Sequence, residues 1–159
     1  MLTGFLLAFY RTLGLEPAYA ADVVVEGTRL GERTAFCFAG KESFDILAGG
    51  LKIGGNAQRR LKGIIFQHGS IPLHNRAATG LAYMRDRAPE HAEGTASLAD
   101  YGMSMDIKSL QSRLINAFSG YFGVELKKNI LSDREQTDMN KLLLSKYSTE
   151  QWNLEGVEA

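Results

Sequence analysis

The sequence predicts an α+β domain on three observations. Helical periodicity marks both ends of the chain, apolar runs broken by glycine pairs fill the middle, and the length suits one core. Of the 159 residues, 45% are hydrophobic and 23% charged, the composition of a folded globular domain rather than a disordered one. A formal net charge of zero argues against a general nucleic-acid or membrane-surface binder. A single cysteine excludes an intrachain disulfide, so the fold needs no oxidising compartment and a cytoplasmic location is expected.

Leu2, Phe5, Leu6, Phe9 and Leu13 recur at three- and four-residue spacing, the stripe of an amphipathic helix that Gly14 would end. Ala18-Tyr19-Ala20 mimics a signal-peptidase site. Yet no basic segment precedes it, and Arg11 and Gly14 interrupt the apolar run, so a core helix is the reading. No apolar run reaches the roughly 20 residues of a membrane-spanning helix. Consecutive Val23, Val24 and Val25 suggest a strand over residues 22–26, and residues 43–48 a second. Gly49-Gly50 then makes a tight turn, because glycine accepts positive φ at little cost. The chain returns over residues 51–57, meets a basic break, and forms a further strand over residues 63–67 before His68-Gly69-Ser70. Together these strands predict an antiparallel or mixed sheet with helices packed on it.

Residues 85–101 lack periodicity and read mostly as a surface loop. Ile107, Leu110, Leu114, Ala117, Phe118 and Tyr121 form a second helical stripe, with Asp106 as N-cap and Gly123 as terminator. Ser132-Asp133-Arg134-Glu135 has capping-box spacing, and the helix it opens is expected to bury Met139, Leu142 and Leu143. Ser148 to Gln151 repeats that spacing before Trp152.

Charge is unevenly placed. Between Asp45 and Asp86 no acidic residue occurs, while Lys52, Arg59, Arg60, Lys62, Arg76 and Arg85 all do. A solvated face is the default explanation, but cations interleaved with glycine and sheet-forming residues suit an anion or an acidic partner. Within the stretch, Gly54-Gly55 inside a strand marks a bulge or a close approach by another group. Lys52 can set an ammonium beside whatever approaches there, and a desolvated lysine among other cations would suit proton transfer. His68, His74 and His91 share no ligand spacing, so no metal site is expected.

The run Lys52-Ile53-Gly54-Gly55-Asn56-Ala57-Gln58-Arg59-Arg60, continued by Gly63-Ile64-Ile65-Phe66-Gln67-His68-Gly69-Ser70-Ile71, resembles the lipoate–protein ligase and octanoyltransferase family. That family shows a Lys-aliphatic-x-Gly-small-Ala-Gln run, a strand, and then Gln-His-Gly-Ser/Thr. Phe36-Cys37-Phe38 with Ser43-Phe44-Asp45-Ile46-Leu47 is similar to the lead-in strand of its cysteine-type octanoyltransferases. Leu131-Ser132-x-x-Glu135, Lys146-Tyr147-Ser148 and Trp152-Asn153 resemble their closing helix, so the likeness runs from Leu2 to Asn153.

The resemblance implies a biotin/lipoate ligase-like catalytic fold, and a site built from residues of both motifs. Cys37 would be the nucleophile that carries an octanoyl thioester, with Lys52 against the acyl carbonyl or an acyl-adenylate phosphate. Amides around Gly54 and Gly55 would meet the oxyanion. Asn56, Ala57, Gln67, His68, Gly69 and Ser70 would complete the substrate site, His68 by structural hydrogen bonding. Arg59 and Arg60 would meet the acceptor. It also implies octanoyl-acyl carrier protein as donor and a lipoyl carrier domain as acceptor, from a 2-oxoacid dehydrogenase or a glycine cleavage H protein. The octanoyl or lipoyl group would be substrate, with no permanent cofactor; ATP and magnesium would enter only for a ligase.

One family motif, Arg-Arg-x-x-Gly-Gly-Gly-like and lying in the N-terminal half, has no counterpart here. Arg59-Arg60-Leu61-Lys62-Gly63 lacks the glycine triplet. Residues 1–159 are therefore expected to form a partial catalytic domain. The missing half would come from a separate chain, or the chain would be a ligase fragment, an inactive remnant or a pairing subunit.

Overall fold

The computed structural model describes residues 2–24, 30–31, 38–85 and 90–156, with residues 90 and 91 described as backbone only. The chain divides into two compact units, Met1–Glu125 and Leu126–Ala159.

In the first unit the expected N-terminal stripe becomes helix α1 (Gly4–Thr12), which buries Leu6, Phe9 and Tyr10. Its partner is α5 (Ile107–Phe122), where the Asp106 carboxylate accepts the Ser109 amide and Gly123 closes the helix in the left-handed conformation. Phe5 meets Phe118 edge-to-face at 5.1 Å. Arg113 donates to the Thr12 carbonyl at 3.0 Å, satisfying an acceptor at the end of α1 that the helix itself leaves open.

The helix pair lies against a four-stranded sheet of β1 (Pro17–Tyr19), β2 (Ile46–Ala48), β3 (Leu51–Leu61) and β4 (Ile64–Ser70). The spatial order is that of the sequence, and every pairing is antiparallel. Gly49 and Gly50 make the β2–β3 turn at φ 54° and 82°, values that a side chain would resist. The core gathers Leu6, Phe9, Tyr10, Ile46, Ile53, Leu98 and Leu110 between the helices and the first half of β3.

Three expectations fail in this unit. Residues 20–23 form a helical turn, α2 (Ala20–Val23), rather than the start of a strand over 22–26; residues 25 and 26 lie outside the described set. Valine's strand preference yields here to hydrogen bonds from the Ala20 and Ala21 amides to the carbonyls of Asp45 and Ser43. Arg59 and Arg60 do not break the sheet either, because β3 continues through them to a turn at Lys62-Gly63. Both are exposed, so the strand includes them without desolvating a charge. Finally, residues 85–101 are not simply a surface loop. Short helices α3 (Ala77–Leu81) and α4 (Glu90–Glu93) lead to Thr95, Ala96, Ser97 and Leu98, which are buried. The Lys52 amide donates to Gly94 and the Ala96 amide to the Lys52 carbonyl, both at 2.9 Å. That parallel bridge at Thr95 satisfies a backbone edge of β3, so a polar-looking segment is drawn inside.

Past Gly54, β3 leaves β2 and pairs only with β4 among the described residues, giving a two-stranded ribbon. Leu61, Ile64, Ile65 and Phe66 on it are exposed.

In the second unit, α6 (Asp133–Leu142) opens with the expected Ser132–Glu135 capping box, whose hydrogen bonds hold the Glu135 carboxyl below its ordinary range. Wider helical turns follow at Leu143–Tyr147 and Gln151–Glu155. Met139, Leu142 and Leu143 are exposed rather than buried, since so short a segment cannot enclose its own apolar stripe. Thr149, not Ser148, accepts the Trp152 amide, at 3.3 Å. Lys146 sits over the Trp152 ring at 4.1 Å.

Candidate functional site

Lys52 enters from the buried end of β3, opposite Leu47 of β2, and is only 3% exposed. Its ammonium lies 2.6 Å from an Asp45 carboxylate oxygen and donates to the Gly40 carbonyl at 2.7 Å. The ring of Phe38 lies 5.1 Å from the same nitrogen. Asp45, just ahead of β2, also accepts the Glu42 amide at 2.8 Å, which fixes the turn that carries it. The expectation was of a lysine among other cations; among the described residues the ion-pair partner at Lys52 is a carboxylate, because the acid that closes the preceding loop is folded back onto β3. Paired and hydrogen-bonded, the buried charge is compensated.

Side-chain alternation sorts the remaining candidates onto two faces. A Cβ added at Gly55 would meet the Lys52 chain, Asp45 and Phe38, whereas one at Gly54 would meet the Tyr10 hydroxyl and Ile46. Gly55 pairs with Ser70 and Ala57 with His68, so these four share the Lys52 face. Gly54, Asn56, Gln67 and Gly69 face the helices instead. A Cβ at Gly69 would strike the Asn56 side chain, and Gln58 donates to Gln67 at 2.5 Å. The two glycines thus have different uses: Gly55 keeps the backbone bare beside Lys52, and Gly54 admits Tyr10. Tyr10 donates to the Ile53 carbonyl at 2.7 Å, and burial pushes its phenol well up.

On the helix face a cavity of about 170 Å³ is walled by Phe5, Leu6, Tyr10, Ile46 and Leu114 and floored by Asn56 and Gln67. The side-chain nitrogens of Asn56 and Gln67 are buried there, with no hydrogen-bond partner among the described residues. This is the back of the sheet, away from Lys52. Arg59 and Arg60 alternate onto opposite faces of the ribbon, where Arg60 donates to Gln58 at 3.0 Å.

Cys37 lies outside the described residues; the residue after it is Phe38, whose ring flanks Lys52. Among the described residues no three His, Cys, Asp or Glu side chains cluster as metal ligands, and no helix is long and apolar enough to cross a membrane. Sequence reasoning missed Asp45. The available signal was an acid directly preceding a buried strand, a place where a charge needs a partner.

Comparison with known proteins adds a family. The sequence pattern of the lipoyl protein ligase A/B catalytic domain matches residues 2–119. The chain is 32% identical to the octanoyltransferase LipM of Bacillus cereus and 29% identical to that of Anoxybacillus flavithermus, over 93% of its own length in each case. It spans 57% of each of those relatives. Among solved structures, a lipoate-protein ligase A bound with ATP superposes with a TM-score of 0.73 at 25% identity, covering 96% of this chain and 56% of that one.

Proposed function

Because the chain belongs to the lipoyl protein ligase A/B catalytic-domain family, we propose that it serves protein lipoylation as an octanoyltransferase domain. In this reading residues 1–159 are a partial domain that works together with the region its relatives possess beyond the match. The observation that carries the reading is the buried Lys52 ammonium, held by Asp45 beside the bare backbone of Gly55. A fixed positive charge next to a backbone that carries no side chain is suited to stabilising an acyl-transfer oxyanion.

The Cys37 thiolate attacks the carbonyl carbon of an octanoyl thioester on acyl carrier protein. A new carbon–sulfur bond forms, and the carrier leaves as its thiol. An amine from a lysine of a lipoyl domain then attacks the acyl-cysteine, giving an amide and returning the Cys37 thiol. Lys52 stabilises the oxyanion in both steps. The carboxylate beside it favours this electrostatic role over proton transfer. Ala57, His68 and Ser70 line the same face, and Arg59 and Arg60 meet the acceptor.

Intact-mass measurement after incubation with octanoyl-acyl carrier protein tests the reading, with any missing family region supplied in trans. An octanoyl adduct should form on the wild type, be released by hydroxylamine, and be absent from Cys37→Ala. Lack of an adduct on the wild type would sink the transferase reading.

Similarity to the ATP-bound ligase favours a second reading, in which the chain is part of an ATP-dependent lipoate–protein ligase and Lys52 clamps an acyl-adenylate made from ATP and free lipoate. Product that forms only with ATP and magnesium, and equally well from Cys37→Ala, would select it.

A further inference from the structure

We propose that the β3–β4 ribbon is a docking edge for an extended, acidic segment of a protein partner, which joins the sheet as an added strand alongside β4. The inference rests on the proposed transfer to a protein acceptor and names how that acceptor is held.

β4 is an outer strand of the sheet among the described residues, and its seven residues offer an edge of about 23 Å. Natural edges are guarded by charge, proline, bulges or brevity, because unpaired amides and carbonyls invite another chain. The strand Ile64-Ile65-Phe66-Gln67-His68-Gly69-Ser70 has no proline and no Lys, Arg, Asp or Glu, and its pairing with β3 runs without a register shift. Ile64 and Phe66 are 62% and 60% exposed, and with Leu61 they form an apolar strip on the Lys52 face. Such a strip beside an unguarded edge has the makings of strand addition, where backbone bonds supply affinity and side chains supply choice.

Charge identifies the occupant. Arg59, Arg60 and Lys62 are exposed on the ribbon, and no acid occurs from residue 46 to residue 85. An acidic strand laid along β4 would pass these cations and is complementary to them. Geometry gives the edge a direction. Ser70 pairs with Gly55, beside Lys52, while Ile64 lies at the distal turn. A segment bound along β4 therefore runs from the basic tip toward Lys52, and a lysine near its end is carried to the acyl group.

An apo lipoyl domain of a 2-oxoacid dehydrogenase serves as probe, with hydrogen exchange followed on the full chain. Amides of residues 64–70 should gain protection on binding, while those of α1 should not. Placing lysine guards on the strip, as Ile64→Lys with Phe66→Lys, should weaken binding at least tenfold, as should Arg59→Glu with Arg60→Glu. Both pairs are exposed, so the thermal melt should stay within a few degrees of wild type. Binding that leaves 64–70 unprotected, wild-type affinity in either double variant, or no binding at all would overturn the proposal. A homodimer sealed through residues 64–70 would overturn it too. Protection of the edge without any acyl transfer would leave the docking intact and fault the reaction instead.

Discussion

A charge pair enclosed on all sides makes Lys52 and Asp45 interdependent. Lys52→Met leaves a buried carboxylate without its partner, and a loss of about 3–5 kcal/mol in unfolding free energy is expected. Asp45→Leu should cost a similar amount, and the double variant less than the sum, because neither orphan charge remains. Urea denaturation of the four proteins gives the coupling directly; additive losses would show that the pair does not act as a unit. Lys52 could be singled out in the sequence because Gly54-Gly55 follow it in a strand, a costly arrangement without a use. Asp45 was not, since its approach depends on how β2 registers against β3, with a shift between Ile46 and Leu47 that no local pattern announces. The split of the candidate residues between two faces was hidden for a related reason. Lys52 and Gly55, three apart, share a side, which simple alternation would forbid.

Among the elements, α1 is tied to β3 by a hydrogen bond from the Tyr10 phenol. Tyr10→Phe removes the hydrogen bond to the Ile53 carbonyl and should cost about 1 kcal/mol at neutral pH. Burial raises the Tyr10 pKa in the folded state, so its contribution is complete below the unfolded value of about 10 and is lost as pH rises through the folded one. The wild type should therefore lose stability above about pH 10 more steeply than Tyr10→Phe; parallel alkaline melts would contradict this. Gly69→Ala tests the ribbon. Its Cβ would lie 2.7 Å from the Gly55 carbonyl oxygen, so β3 and β4 must part, and a drop in melting temperature is expected even though alanine is otherwise harmless. Helices α1 and α5 and the Gly49-Gly50 hairpin could be read from periodicity, caps and turn chemistry, all of them local. The burial of residues 95–98 could not, because their partner, Lys52, is remote in sequence.

Across the whole molecule, zero net charge conceals a basic ribbon that ends in uncovered apolar side chains. An acidic partner rather than a second copy is expected to cover these side chains. Light scattering should therefore report a mass that does not change with added salt; a mass that rises as the ribbon's charge is screened would show that the strips pair with each other instead. The bridge between Lys52 and residues 94–96 has a different, kinetic consequence. The hairpins joining β2, β3 and β4 close short loops, whereas this bridge closes one spanning much of the sheet and the segment after it, so it should form late. Contacts absent from the transition state govern unfolding rather than folding. Thinning the bridge with Ala96→Gly should accelerate unfolding and leave the refolding rate nearly unchanged, while Ile53→Val in the hairpin core should slow refolding. If stopped-flow chevrons show Ala96→Gly slowing the refolding arm, the bridge belongs to the nucleus, and Lys52 is set in place early rather than last.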